Sequence, residues 1–347
     1  MINKDYGINS YISRYNLNND LNIYRITSRN NAFLTLHNKK DELISVRVNL
    51  KNSDFVVGDY VLVEKNVGEH QISTFLKRDS LITKAQSTSQ KSLAYNAKEQ
   101  LIAANVDQIF ILIAADQRFS LGKFERYVST FSNMAKDIQI IISKSDYQVE
   151  ASTIENTILK VYPKMKINQL SIHDPLSDQK VMNLLKKGKT SILIGSSGVG
   201  KSTLINTILQ KEELSTQNVR NDGKGKHTTT SSSMYFLKKT SSYIIDTPGF
   251  KTISSHRDAD ETLLFQSIYD LSLKCKFNDC SHVNEPGCAI QLAIKKGNLS
   301  KELYNRYLKY KDKKKRYKEL ISQKNKKKKP HHRMKVITKS GILNDID

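Results

Sequence analysis

Residues 195–203 carry Gly195, Ser196, Ser197, Gly198, Val199, Gly200, Lys201, Ser202 and Thr203, set between an apolar run, TSILI, and an amphipathic stretch. A G-x-x-x-x-G-K-S loop in that setting turns backbone N–H groups inward around phosphate oxygens. Lys201 reaches the β- and γ-phosphates, and Ser202 offers its hydroxyl to Mg²⁺. A plain glycine-rich turn would need neither the strand before it nor the helix after it. Downstream, the apolar run SSYIID ends at DTPG, residues 246–249. Asp246 suits a place in the Mg²⁺ shell through water, and the Gly249 amide suits sensing of a γ-phosphate. Between the two lies GKGKHTTTSSS, residues 223–233. Its glycine and threonine content fits a switch segment, with Thr229 as the hydroxyl that joins Mg²⁺ only in the triphosphate state. The competing reading of that run is a plain linker.

Ser143, Lys144, Ser145 and Asp146 come directly after the apolar run DIQIII. The Asp146 carboxylate can accept from the N1–H and the exocyclic amine of guanine, a donor pair that adenine lacks. The stem of Lys144 can cover the base. Ser143 stands where a base motif of this kind has Asn. It keeps a hydroxyl but lacks the amide that ties this loop to the phosphate loop, which predicts retained base choice and weaker affinity. Ser171, after the run KINQL, is a candidate for the last base-contacting loop. The chain order is therefore base motif, phosphate loop, switch, DTPG, a cyclic shift of the usual GTPase order. Such a shift keeps the same sheet, because domain termini lie close together. It also places the segment after DTPG outside the nucleotide domain, where it runs straight to a cluster of cysteines.

That cluster, CKFNDCSHVNEPGC, spaces Cys275, Cys280, His282 and Cys288 as C-x4-C-x-H-x5-C. Three thiolates and an imidazole complete a closed tetrahedral Zn²⁺ shell, so one structural zinc is expected. All three cysteines of the chain are in this set. Buried free thiols would not explain the central His or the Pro-Gly turn before the last Cys.

These residues must be held by elements that the rest of the sequence supplies. Residues 20–80 contain short β-rich runs (NIYRITS, AFLTL, ISVRVNL, VVGDYVLVEK), with Gly58 and Asp59 as a turn. That spacing suggests a small barrel of OB type, which binds nucleic acid or serves as a packing module. A polar stretch, residues 82–100, reads as a linker. Strands then alternate with helices up to DTPG, and Phe124, Tyr127, Val128 and Phe131 fall on one helical face. This is the pattern of a parallel α/β sheet with ligand loops at the strand ends. After about residue 260 come a helix, the Cys cluster and a basic helix. The fold class is thus multidomain α/β: barrel over 1–85, circularly permuted P-loop GTPase domain over 92–258, and helical zinc-binding domain with a basic tail over 259–347.

Net charge is +22, and residues 301–340 hold 17 basic against 3 acidic side chains, 14 of that surplus. A concentrated cationic surplus points to a polyanionic partner through counterion release. The longest apolar run, residues 109–115, is far short of the ~20 residues a bilayer requires. No membrane partner and a cytoplasmic location are expected.

The runs EQLIAANVDQIFIL, GSSGVGKSTLIN, GKHTTT, IDTPGF and CKFNDCSHVNEPGCAI resemble the RsgA (YjeQ) family of circularly permuted GTPases, which act in maturation of the bacterial small ribosomal subunit. The resemblance implies an OB-fold, a GTPase domain and a zinc domain. It also implies GTP and GDP as ligands, a likeness to monomeric factors that bind the small subunit and its rRNA, and hydrolysis stimulated by the ribosome. Phe250 stands where many GTPases place a water-orienting Gln just after DxxG. His227, beside the switch threonines, is the substitute from sequence, either orienting the attacking water or only positioning the loop. Two alternatives stand beside this reading: a P-loop ATPase or kinase, and an RNA-binding protein with weak or vestigial nucleotide turnover.

Overall fold

The computed structural model describes residues 4–49, 53–66, 68–85, 99–214, 232–247 and 262–327. It divides into two units, Met1–Leu303 and Tyr304–Asp347. The chain opens with α1 (Ile8–Tyr15), a helix not expected from the sequence. Its signal is Ile8, Tyr11, Ile12 and Tyr15 at i, i+3, i+4 and i+7, and the first three are buried.

Five antiparallel strands come next: β1 (Ile23–Arg29), β2 (Phe33–Asn38), β3 (Leu43–Arg47), β4 (Tyr60–Asn66) and β5 (Glu69–Phe75). β1 pairs with β2 on one side and β4 on the other, β3 extends β2, and β5 extends β4. β1 is bulged between Ile26 and Ser28, which bends it enough to serve both neighbours. Tyr24, Ile26, Leu34, Leu36, Val46, Val61 and Val63 fill the interior, as alternation along the strands requires. This is the OB-type barrel. Gly58, at φ +98°, has no room for a side chain, since a Cβ would lie 2.0 Å from the Ala104 carbonyl oxygen. Asp59 next to it is fully buried and accepts from Arg78 Nε at 2.6 Å and Nη2 at 2.7 Å.

The polar stretch expected to be a linker begins and ends in strand. β6 (Leu81–Ala85) pairs antiparallel with β7 (Glu99–Ala104), and Ile82, Ala103 and Ala104 are fully buried. Polar composition hid a pairing that satisfies the backbone of both ends; residues 86–98 lie outside the described ones.

The chain continues through β8 (Gln108–Ala114), α2 (Leu121–Phe131), β9 (Asp137–Ser143), α3 (Gln148–Val161), β10 (Ile167–Leu170) and α4 (Ser177–Leu184). After them come β11 (Thr190–Ile194), α5 (Lys201–Leu214), β12 (Ser232–Leu237) and β13 (Ser242–Asp246). The sheet order is β10-β9-β8-β11-β13-β12, parallel except for β12. β8, β9, β11 and β13 read as near-continuous apolar runs because helices cover both faces. From β8 the strands step outward through β9 and β10, while β11 starts the other side, with β13 beside it and the antiparallel β12 beyond. The order therefore reverses between β8 and β11, which puts a ligand crevice beyond their carboxyl ends. The sheet continues into the barrel, since β12 pairs with β1 at Ser28↔Ser233 and Arg29↔Ser232.

The first unit closes with α6 (Thr262–Ser272), the Cys cluster and α7 (Ala289–Lys295). The last helix is α8 (Lys301–Lys327), and from Tyr304 onward it forms the described part of the second unit. Within it Arg316 pairs with Asp312 at 2.9 Å. No helix among the described residues is long and apolar enough to cross a membrane.

Candidate nucleotide site and metal centre

β11 ends at Ile194, and the loop to α5 is shaped by three glycines. Gly195 packs so closely on β8 that a Cβ would meet the Leu112 carbonyl oxygen and Val199 Cγ2 at 2.9 Å each. Gly198 and Gly200 take φ +77° and +89°, the left-handed region that aims successive N–H groups into one concavity. Lys201 is buried, and its ammonium donates to the Gly195 and Ser196 carbonyls at 3.0 and 3.1 Å. Burial lowers its pKa, and the nearby Asp246 charge opposes that shift.

Asp246 sits at the end of β13, where its carboxylate accepts from Ser202 Oγ at 3.2 Å. Burial raises its pKa, against the Ser202 bond and the Lys201 charge. Asp246 Oδ1 and Thr247 Oγ1 are both buried without a hydrogen-bond partner. Buried oxygens left unpaired are costly, so this corner suits a hard cation that takes oxygen ligands. Ser202 and Asp246 thus fit Mg²⁺. Thr229, His227, Gly249 and Phe250 lie outside the described residues.

β9 delivers residues 143–146, the expected base motif, on the other side of β8. Ser143 Oγ donates to the Val199 carbonyl at 2.7 Å, so the hydroxyl itself makes the tie for which the missing amide was expected to be needed. The Ala115 N–H donates to the Ser143 carbonyl at 2.9 Å. Lys144 takes φ +57°, rare for a side-chain-bearing residue, and its ammonium pairs with Asp116 at 2.6 Å. The Ser145 N–H bonds the Leu170 carbonyl at 3.1 Å. Asp146 is exposed, and Ser171 Oγ donates to its Oδ1 at 2.5 Å, holding the carboxyl below its usual range. The structure therefore brings together Ser143, Asp146, Ser171 and the phosphate loop.

Sequence reasoning missed Asp116 and Gln117. Gln117 Nε2 donates to the Ser197 carbonyl at 3.4 Å, and Ser196 Oγ approaches Gln117 Oε1 at 3.5 Å. The available signal was positional, because both residues come just after the strand that lies between the two loops.

The sulfur atoms of Cys275, Cys280 and Cys288 and a ring nitrogen of His282 lie within 4.8 Å of one another. Cys275 Sγ is 3.5 Å from His282 Nδ1 and 4.0 Å from Cys288 Sγ, and Cys288 Sγ is 3.9 Å from His282 Nδ1. A tetrahedron with metal–sulfur bonds of about 2.3 Å has edges of about 3.8 Å, so the group fits one metal ion. Glu285, also missed, accepts the N–H groups of Ser281, Val283 and Asn284 at 2.9, 3.1 and 3.2 Å. A hydrogen bond from the Ser281 side chain, with backbone bonds behind it, holds its carboxyl down to about 2. The backbone bonds curl the loop that presents His282, itself at φ +69°.

The family model described as RsgA GTPase matches residues 75–256, and one described as 50S ribosome-binding GTPase matches residues 190–326. A Vibrio parahaemolyticus protein named Small ribosomal subunit biogenesis GTPase RsgA 2 is 36% identical over 268 residues, 76% of this chain and 72% of its own length. Small ribosomal subunit biogenesis GTPase RsgA 1 of Listeria monocytogenes is 30% identical over 323 residues, 89% of this chain and 88% of its own. The crystal structure of YjeQ from Thermotoga maritima superposes with a TM-score of 0.59 at 24% identity, covering 86% of this chain and 98% of that one. YloQ, described as a circularly permuted GTPase, gives 0.56 at 22% identity over 90% and 98%. The permuted strand order has its counterpart in those folds, and the match of sequence across most of both chains makes this chain a GTP-hydrolysing member of the RsgA GTPase family.

Proposed function

We propose that this chain is a maturation factor of the small ribosomal subunit that uses its GTP state to set its residence there. The observation that carries the reading is the name shared by relatives aligned over most of both chains, small ribosomal subunit biogenesis GTPase. The barrel (1–85) and the basic C-terminal region (259–347) would contact rRNA, with the nucleotide domain (92–258) between them in sequence. The positive surplus on the terminal segment supports an RNA partner. The factor would act in the cytoplasm as a monomer.

In this reading Asp146 accepts from guanine, the Lys144 stem covers it, and Ser143 and Ser145 shape the loop. Residues 195–203 surround the phosphates. Lys201 exchanges its two carbonyl partners for phosphate oxygens, which is preorganised charge compensation. Ser202 and Thr229 would hold Mg²⁺, with Asp246 behind a water, and Gly249 would face the γ-phosphate. The cation when bound neutralises charge that develops on the β- and γ-oxygens. Since Phe250 cannot polarise water, His227 is assigned to orient it. Cys275, Cys280, His282 and Cys288 would hold one structural zinc.

The test is single-turnover hydrolysis of GTP and of ATP by the full chain alone, with small subunits, and with large subunits. The expected result is GTP preference and acceleration by small subunits only. Acceleration by large subunits only, or by neither, overturns the proposal. His227→Ala within about threefold of wild type on saturating small subunits, under about 1 kcal/mol of barrier, excludes a catalytic histidine.

A further inference from the structure

Asp116 and Gln117, in the turn that ends β8, contact both nucleotide loops. β8 is hydrogen-bonded to β9, which ends in the base motif, and to β11, which ends in the phosphate loop. That turn, with the Gln117 N–H on the Ala114 carbonyl at 3.3 Å, sends Asp116 and Gln117 to opposite partners. Gln117 lies along the phosphate loop at Ser196 and Ser197, and the space where Gly198 would carry a Cβ is 3.3 Å from its Nε2. Asp116 reaches the other way and takes the Lys144 ammonium at 2.6 Å.

We propose that Asp116 is a positioning residue for guanine nucleotide, acting through Lys144. The proposal rests on the reading of residues 143–146 as the base motif. Lys144 starts from a left-handed backbone, so its stem leaves the loop in a fixed direction. A four-carbon stem with a free end samples many rotamers, and laying it along a base costs that freedom. An ion pair at the ammonium fixes the far end before the nucleotide arrives, which moves the entropy loss from binding to folding. Both side chains remain about a third exposed, at 35% and 28%. An ion pair so exposed contributes little to fold stability, so its larger consequence falls on the ligand.

The experiment measures GDP affinity, KM and kcat for GTP, and melting temperature for the full chain and its variants. Asp116→Ala should weaken GDP and raise KM about fivefold, with kcat and melting temperature unchanged. Asp116→Glu, which keeps a carboxylate within reach, should restore most of the affinity. In a Lys144→Met background, which keeps the stem but removes the ammonium, Asp116→Ala should have no further effect. Unchanged affinity in Asp116→Ala overturns the proposal, as does an undiminished effect in the Lys144→Met background. Asp146→Asn separates the two readings. If it moves preference from GTP toward xanthosine triphosphate while Asp116→Ala is silent, only the Asp116 role fails. If it leaves preference unchanged, the base motif itself is wrong.

Discussion

Ser143 Oγ and the carbonyl of Val199 are joined by a 2.7 Å hydrogen bond across 56 residues of chain. It spans β8 and links the loop after β9 to the phosphate loop after β11. A hydroxyl is shorter than an amide side chain, but the sheet brings the two loops close enough for it to suffice.

Removing that hydroxyl should therefore loosen nucleotide binding without changing base choice. Ser143→Ala loses one buried hydrogen bond, about 1 kcal/mol, or about fivefold in GDP and GTP affinity. Ser143→Thr should stay close to wild type. Fluorescent-nucleotide titration reads both, and equal affinity of Ala and wild type would show that the bond is not used.

Metal removal should act locally. Chelation of the full chain, or Cys280→Ser, should release one equivalent of metal and remove hydrogen-exchange protection over residues 275–295. GTP binding should persist, because no nucleotide-site residue lies in that segment. Purified protein that carries no metal would remove the assignment, and zinc in particular is read by elemental analysis.

Arg78→Ala should expose how Asp59 is tolerated. Asp59 is fully buried, and burial already raises its pKa against the lowering effect of Arg78. Losing the guanidinium leaves the buried carboxylate without its ion-pair partner, while the Val56 N–H still donates to it at 2.8 Å. The cost is about 3 kcal/mol near neutral pH. A carboxyl with a raised folded pKa favours the folded state below its unfolded pKa and loses that support as pH rises through the folded value. The stability gap between variant and wild type should narrow on acidification. Denaturant titration at several pH values checks it, and a pH-independent gap would refute it.

Arg25 fastens the barrel to the nucleotide domain. Its guanidinium donates to the carbonyls of Tyr6 (2.9 Å), Asn105 (3.2 Å) and Gly58 (3.3 Å) and to Thr190 Oγ1 (3.0 Å). It also lies over the rings of Tyr60 and Tyr243, at 4.8 and 5.7 Å. Arg25→Met should cost at least about 3 kcal/mol, since several buried acceptors lose a charged donor together. Arg25→Lys should not rescue it, because an ammonium cannot present a planar fork to four directions. Thermal unfolding and exchange at the start of β11 measure this.

The motifs are legible in the sequence because each is local. The phosphate loop, DTPG and the four side chains that could hold a metal each fall within a short window, and the order of the motifs along the chain already implies the permuted sheet. The apolar runs of β8, β9, β11 and β13 announce strands covered on both faces. α1 is equally open to detection through the spacing of Ile8, Tyr11, Ile12 and Tyr15. β6 and β7 are less open, because each is a short apolar piece at the edge of a polar stretch and only their pairing marks them as strands.

Residue type at short spacing was enough to propose which chemistry to look for: a phosphate cradle, a carboxylate for guanine and a thiolate–imidazole set that could hold a metal. How those pieces hold one another depends on contacts that no short window contains. Ser143 on Val199, Asp116 on Lys144 and Arg25 on Thr190 are separated by 56, 28 and 165 positions. A serine hydroxyl, an aspartate and an arginine are common surface residues in any window of sequence. They become ties because β8 lies between β9 and β11, and because β1 pairs with β12 to bring the barrel onto the sheet.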